Sequence, residues 1–193
     1  GHLNMLEIVT YIQPPPRIIF VSSRLVYGVP AALPVIEQHP TEPTSIYGLH
    51  KLTVEHYYRL YYIYHNIPYA ILRLTNPYGP YQSFERQGYG IVNQFVIRAL
   101  KGTPITIYGD GMQTRTFTYV EDTVSVCTKI FEDNLLINDV INIGNDELMT
   151  IKSLAELAIK LTNSSSSIIH LPPLKEGDMT RRQPDNTKMR QIL

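Results

Sequence analysis

The sequence Ile18-Ile19-Phe20-Val21-Ser22-Ser23 sets the fold class of this chain. Its first four residues form a short, wholly apolar run of β-forming side chains, which is typical of a strand buried in a parallel sheet. The run delivers Ser22 and Ser23 to the carboxyl end of that strand. We therefore expect a buried parallel strand that ends in two hydroxyl groups.

The segments on either side of this strand predict helices. Before it, apolar spacing over residues 3–9 suits an amphipathic helix that the proline run 14–16 ends. After it, residues 28–44 contain four prolines and little periodicity, which indicates a loop. Thr44-Ser45 can cap a long helix that we expect to run to about His65.

Farther along the chain, strand and helix patterns alternate. The alternation predicts an α/β fold with a largely parallel sheet. The turn residues Gly109-Asp110-Gly111 also predict a hairpin between residues 105–108 and 115–119. The other expected elements are strands over 69–74, 140–143 and 168–171, and helices over 91–100, 121–131 and 151–161.

The composition narrows the classes of partner and compartment. The 193 residues include 17 basic and 17 acidic side chains, so nothing favours nucleic acid or an anionic membrane as a partner. The single Cys127 cannot form an internal disulfide, and neither a membrane-spanning run nor a signal peptide is visible, so a cytoplasmic location is expected. The six histidines show no metal-ligand spacing, and no metal is predicted.

Tyr47 and Lys51 form the strongest chemical signal of the sequence. They lie four residues apart on the predicted long helix, so their side chains are neighbours on one face. The ammonium of Lys51 would then favour the phenolate of Tyr47, which is the form that accepts a proton. This pairing predicts a general base, although a tyrosine followed by a lysine one turn later is usually an ordinary surface pair.

The context of this pair resembles the extended short-chain dehydrogenase/reductase family, in particular its NAD-dependent nucleotide-sugar epimerases and dehydratases. The resemblance covers nearly the whole chain, because several motifs follow one another in the family's order. They are Gly1 to Glu7, Ser22-Ser23, Val26-Tyr27-Gly28, Glu42-Pro43, Tyr47-Gly48-Leu49-His50-Lys51, Arg73 to Pro80, Ile107 to Arg115, Asn142-Ile143-Gly144, Gly177-Asp178 and Asp185 with Lys188.

The resemblance implies a role for each of a set of residues. Ser23, Tyr47 and Lys51 correspond to the catalytic triad. Residues implied in contact with the cofactor, NAD, are Ser22, Tyr47, Lys51, Leu74 and Thr75. Residues implied in contact with the nucleotide-sugar are Ser23, Asn76, Tyr108, Arg115, Lys175 and Asp178.

Several of these residues also have a plainer explanation. Ser23 can satisfy a nearby backbone group, and Asn76 can serve the turn that follows its strand. Tyr108 can belong to the core, and Arg115 can form a surface ion pair. Lys175 stands where the family often has an arginine, so it keeps the charge but lacks the bidentate fork.

The resemblance also implies a domain plan and an assembly. The second half of a Rossmann-type NAD-binding domain, a doubly wound parallel sheet, corresponds to residues 1–80 and 116–145. A small α/β lobe that binds the nucleotide-sugar corresponds to residues 81–115 and 146–193. A homodimer is expected through helices in residues 1–12 and 45–65. No Gly-x-x-Gly-x-x-Gly turn occurs in the sequence, so we expect a fragment that lacks the family's pyrophosphate-binding part.

The two residues after Ser23 bear on the reaction. Dehydratases and decarboxylases of this family carry an acid at one or both positions, whereas this chain has Arg24 and Leu25. The comparison favours 4-epimerisation, which needs only hydride removal, rotation of the 4-keto sugar and hydride return. Alternatives are another oxidoreductase or a 2-epimerase on the same scaffold, or an inactive fragment that only binds or dimerises.

Overall fold

The computed structural model of the chain describes residues 1–81, 90–173 and 183–192. Its helices and strands follow the predicted order, with small shifts at their ends. The helices are α1 (His2–Val9), α2 (Ile46–His65), α3 (Ile91–Leu100), α4 (Val120–Glu132), α5 (Ile151–Leu161) and α6 (Thr187–Ile192). The strands are β1 (Ile18–Ser23), β2 (Tyr69–Leu74), β3 (Pro77–Tyr78), β4 (Ile105–Tyr108), β5 (Thr114–Arg115), β6 (Thr118–Tyr119), β7 (Asp139–Ile143), β8 (Met149–Thr150) and β9 (Ile168–Leu171).

A parallel sheet in the order β1-β2-β7 forms the centre of the fold. Most residues of the three strands are apolar and buried, because helices pack on both faces of the sheet, as in α/β proteins generally. One face packs on α1 and α2 through a cluster that includes Leu6, Phe20 and Tyr58. The other face packs on α4 through a cluster that includes Val126 and Ile130. This confirms the predicted α/β fold, with helices on both faces of a parallel sheet.

The register of the sheet brings three strand ends to one level. Ser23 of β1 lies opposite Leu74 of β2, and Leu74 lies opposite Ile143 of β7. Because all three strands run in the same direction, the polar residues that end or follow them meet at one edge of the sheet. The predicted site residues Ser23, Thr75 and Asn76 all belong to this carboxyl edge.

The predicted hairpin between residues 105–108 and 115–119 is wrong. Strand β4 pairs with β9 in parallel, while β5 pairs with β8 and β6 pairs with β3. The turn does form, with positive φ at Gly109 and Gly111, but the carbonyl of Gly111 accepts a hydrogen bond from the Lys152 amide at the start of α5. The chain is therefore directed away from β4 after the turn, and β4 and β9 pair beside α3 and α5.

A second apolar core lies among α3, β4 and α5. It contains Phe95, Ile105, Ile107 and Leu154, with Ile168 of β9 packed against it. Helix α6, which the predicted boundaries place in the substrate lobe, packs against the apolar cluster between α4 and the sheet. The division of the chain into two lobes remains a prediction.

None of the helices in the described part of the chain combines the length and the apolar character that a membrane span requires.

Candidate active site

Ser23 ends β1 and begins a short 3-10 helix, Arg24–Tyr27. Its side-chain oxygen accepts a hydrogen bond from the Leu25 amide at 3.2 Å, so the hydroxyl caps this helix. A serine hydroxyl has one donor and two acceptor positions, and this bond uses only an acceptor position. Ser23 thus satisfies a nearby backbone group, and this bond leaves its hydroxyl proton available for a second partner.

The first turn of α2 places Tyr47 next to this segment. Ser45 caps the helix by accepting a hydrogen bond from the Gly48 amide at 3.1 Å. A Cβ atom on Gly48 would lie only 2.5 Å from the carbonyl oxygen of Leu25, so glycine permits the close approach of the two segments. Tyr47 is 53% exposed at the start of this helix.

Lys51 lies beside Tyr47, as the spacing of four residues predicts. Its Nζ is 5.7 Å from the ring centroid of Tyr47 and 5.0 Å from that of Phe20, and it donates a hydrogen bond to the Val21 carbonyl at 2.8 Å. Burial lowers the pKa of the Lys51 ammonium. An ammonium has three N–H donors, so this geometry is compatible with a further acceptor such as a ribose hydroxyl.

Ser22, predicted to contact the cofactor, lies in a buried polar cluster. Its hydroxyl donates to Oε1 of Glu55 at 2.6 Å, and Glu55 also accepts two hydrogen bonds from the Arg73 guanidinium, at 3.0 and 2.6 Å. The recorded contact of the Ser22 side chain is therefore within the protein. A cofactor contact by Ser22 remains a prediction that this hydrogen bond does not favour.

The residues after β2 connect the sheet to the segment that follows β5. Thr118 donates to the Thr75 carbonyl, and Asn76 donates through Nδ2 to the Thr116 carbonyl at 2.7 Å and accepts from Arg24 at 3.0 Å. Both polar ends of the Asn76 side chain thus have protein partners, in agreement with the turn role. A substrate contact by Asn76 remains a prediction.

Two further predicted cofactor contacts lie at the same edge. The hydroxyl of Thr75 is buried without a hydrogen-bond partner among the described residues. Thr75 is completely buried, and the hydroxyls of Thr114, Thr116 and Thr123 are in the same state, so this feature does not distinguish a ligand contact. Leu74 is partly buried and packs against the apolar cluster beneath α4. The free N–H donors of Lys51 are compatible with NAD, and the contacts by Thr75 and Leu74 remain predictions.

The residues predicted to hold the nucleotide lie beyond this edge. Arg115 is only 8% exposed on β5, and its Nη1 donates to the Thr114 carbonyl at 2.8 Å. Tyr108 is partly exposed at the end of β4. Their contacts with a nucleotide remain predictions. Lys175 and Asp178 lie outside the described residues.

The sequence analysis did not single out Glu55, and it named Arg73 only as the first residue of a family motif, without a role. Both are almost completely buried, and Arg73 stands in a strand whose other residues are apolar or aromatic. Burial on its own would lower the pKa of Arg73, but its contacts with Glu55 and Tyr27 outweigh burial and raise it. A charged residue in a buried strand needs a partner, so Arg73 in the run YAILRL was the available signal.

Within residues 1–81, 90–173 and 183–192, no group of three or more His, Cys, Asp or Glu side chains could hold a metal ion. The absence of a metal from the whole protein remains a prediction.

Comparison with known proteins gives the family. The profile of the NAD-dependent epimerase/dehydratase family matches residues 1–144. A putative UDP-glucose 4-epimerase of Methanocaldococcus jannaschii is 35% identical over 94% of this chain and 58% of its own length. UDP-glucuronic acid decarboxylase 1 of Danio rerio is 31% identical over all of this chain and 46% of its own length. The chain thus spans about half the length of these relatives.

A solved structure supports the same assignment. The UDP-glucuronic acid 4-epimerase of Bacillus cereus, in complex with UDP-glucuronic acid and NAD, superposes with a TM-score of 0.88 at 30% identity. The match covers all of this chain and 59% of that protein. Together with the family profile, which covers more than half of the sequence, this shows that the chain belongs to the NAD-dependent epimerase/dehydratase family.

Proposed function

We propose that this chain supplies the proton-transfer and substrate-binding groups of a nucleotide-sugar 4-epimerase. The observation that carries the proposal is the position of Lys51 against Tyr47 and the end of β1, where Ser23 lies. A phenol, an ammonium and a hydroxyl at one sheet edge suit removal of a proton from a sugar hydroxyl.

Each residue has a distinct part in the proposed reaction. Tyr47 acts as the general base that takes the proton of the sugar 4-hydroxyl, and the ammonium of Lys51 lies 5.7 Å from its ring centroid. Ser23 donates its hydroxyl proton to the same sugar oxygen while its acceptor position stays with Leu25. NAD bound at this edge would supply the hydride acceptor for carbon 4 and then the hydride donor for the opposite face of the keto sugar, and Tyr47 would return the proton to the sugar oxygen.

Arg24 and Leu25 support epimerisation rather than decarboxylation or dehydration. These two positions follow Ser23, where the other reactions would need an acid. The Arg24 side chain donates to Asn76, so this position contributes a cation bound to a strand-end amide. Decarboxylases are among the relatives of this chain. The second candidate function is therefore a different NAD-dependent oxidoreductase activity on a nucleotide-sugar, or 2-epimerisation.

The substrate proposed is a nucleotide-sugar held through Arg115 and Tyr108. Arg115 can form bidentate hydrogen bonds with a diphosphate, and the exposed ring of Tyr108 can pack on a base. The hydrogen bond from Asn76 to Thr116 joins the residue after Arg115 to the end of β2. This connection supports one continuous site that extends from the sugar to the nucleotide.

The proposed assembly is a homodimer through the helices of residues 1–12 and 45–65. Large apolar side chains of these two segments are exposed in the single chain, including Ile8 on α1, Tyr11 just after α1 and Ile63 on α2. Their burial against a second copy would remove this apolar surface from water. The cytoplasmic location remains a prediction from the sequence.

The proposal is tested by steady-state kinetics of a protein that contains this chain together with the glycine-rich, pyrophosphate-binding part of the family's NAD-binding domain. UDP-glucose and UDP-glucuronic acid are the first substrates to assay. Tyr47→Phe should lower the rate by about two to four orders of magnitude, because it removes the general base. Tyr64→Phe, at an exposed tyrosine of the same helix, is the matched control and should leave the rate unchanged.

The other variants separate chemistry from binding. Ser23→Ala should cost less than Tyr47→Phe, and Lys51→Met should lower both the rate and the retention of NAD. Arg115→Ala should chiefly raise KM, because the diphosphate does not change charge during the reaction. If Tyr47→Phe kept more than about a tenth of the activity, the general-base role would be wrong.

A further inference from the structure

Glu55 occupies a central place between α2 and the sheet. Tyr47, Lys51 and Glu55 follow at intervals of four residues, so they lie along one face of α2. Glu55 is completely buried, whereas Tyr47 at the other end of this row is exposed. The carboxylate therefore lies on the inner continuation of the row that holds the proposed catalytic groups.

The contacts of Glu55 reach the two strands on which the site is built. Oε1 accepts from the hydroxyl of Ser22, the neighbour of Ser23 on β1, at 2.6 Å. The two carboxylate oxygens accept from Nε and Nη2 of Arg73 on β2 at 3.0 and 2.6 Å. One side chain of α2 is thus bonded to β1 and β2, next to their carboxyl ends.

Arg73 is itself held from its other side. Its Nη1 donates to the Glu37 carbonyl at 3.1 Å, and its guanidinium lies 4.6 Å from the ring centroid of Tyr27. A guanidinium bound to a carboxylate through two nitrogens has little freedom to rotate. The position of the Glu55 carboxylate, and with it that of α2, is therefore fixed by the sheet and by the loop that contains Glu37.

We propose that Glu55 is a positioning residue, whose carboxylate sets the depth of α2 against β1 and β2 and thereby holds Lys51 at the Val21 carbonyl beside Tyr47. That this position of Lys51 matters for catalysis rests on the proposed function. Stability alone does not explain the cluster, because apolar residues in place of a buried ion pair are often equally stable. The directed hydrogen bonds to Ser22 and Arg73 provide what apolar packing lacks, a defined position of the helix.

The pH titration of Lys51 in the 193-residue chain measures this position without cofactor or substrate. It is followed by NMR of ¹³Cε-labelled lysine, with Lys51→Arg to assign the signal. Among the described residues, the groups that face Lys51 are Tyr47 on its own helix, Phe20 and the Val21 carbonyl on β1, and His2 of α1. Burial, Lys51 and the amino terminus of Gly1 lower the pKa of His2. Burial keeps the pKa of Lys51 below its ordinary value, so movement of α2 away from the sheet would raise it.

Glu55→Leu and Glu55→Gln form a matched pair. Both remove the negative charge, which by itself would lower the pKa of Lys51. Glutamine keeps one acceptor oxygen, for Ser22 and Nε of Arg73, and loses the acceptor for Nη2, whereas leucine keeps neither. We expect the pKa to rise in Glu55→Leu, so that the neutral fraction of Lys51 falls about threefold near pH 9, and not to rise in Glu55→Gln. Loss of the Glu55 charge would lower the pKa of Lys51, whereas movement of α2 away from the sheet would raise it. A rise of this pKa therefore reports the position of α2.

Two further variants cover the remaining explanations. Ile130→Val weakens the core on the other face of the sheet and should leave the Lys51 titration unchanged. If Glu55→Leu does not fold, Ser22→Ala, which keeps the ion pair, should give a smaller rise in the same direction. Three results would overturn the proposal. The first is an unchanged Lys51 pKa in folded Glu55→Leu, and the second is an equal rise of that pKa in Glu55→Gln or Ile130→Val. The third is no rise of the Lys51 pKa in Ser22→Ala. Because no turnover is measured, these outcomes are independent of whether the chain is part of an epimerase.

Discussion

Replacement of Gly48 by alanine tests whether the site depends on the close approach of α2 to the segment after Ser23. A Cβ atom at position 48 would lie 2.5 Å from the Leu25 carbonyl oxygen, 3.1 Å from its carbonyl carbon and 3.0 Å from Cβ of Pro43. The nearest of these atoms belongs to backbone that cannot rotate away. Either α2 or the 3-10 helix must therefore move when the methyl group is added.

Two effects of opposite sign decide the stability of Gly48→Ala. Alanine is favoured over glycine by at most about 1 kcal/mol within a helix, and by less in the first turn, where Gly48 lies. An extra methyl group in a well-packed site costs about 1 to 3 kcal/mol. We therefore expect a net loss of about 1 kcal/mol or more in the free energy of unfolding.

Urea unfolding of the 193-residue chain measures this change. His50→Ala is the control, because His50 is exposed two residues later and reports helix propensity without a clash. It should stabilise the chain by up to about 0.6 kcal/mol. If Gly48→Ala were as stable as the original chain or more stable, the argument that Leu25 and α2 are in tight contact would be refuted.

Three other predictions concern the cofactor, the assembly and the C-terminal helix. The 193-residue chain should not retain NAD in equilibrium dialysis, whereas a form extended upstream by roughly 100 residues should; micromolar binding by the short chain would contradict this. The complete protein should be a dimer by light scattering, and Ile63→Lys should make it a monomer, so a monomeric parent protein would count against the interface. The Thr187 amide donates to Asp185 and lowers the pKa of its carboxyl group below the ordinary 3.8. Asp185 therefore stabilises α6 fully above pH 3.8, and this stabilisation is lost as the pH falls through the lowered pKa of Asp185. Hydrogen exchange of the 187–192 amides would detect the loss. The pH dependence should be absent in Asp185→Asn.

Local patterns were sufficient for most of the secondary structure. The apolar run 18–21, the capped start of α2 at Ser45 and the periodic segment of α5 each contain their signal within a few residues. The adjacency of Tyr47 and Lys51 is local as well, because helix geometry fixes neighbours four residues apart. For this reason the sequence alone determined the fold class, and ordered motifs along the chain were enough to indicate the family.

Contacts between distant segments were decided only by the tertiary structure. Alternating residues in β4 predict a strand but not its partner, and β9, about 60 residues away in sequence, pairs with it because both strands cover the core between α3 and α5. In the same way, Ser22 and Ser23 are adjacent in sequence, yet one hydroxyl is bonded to buried Glu55 and the other caps the 3-10 helix. Successive side chains of a strand point to opposite faces, and what lies on each face depends on how the rest of the chain packs.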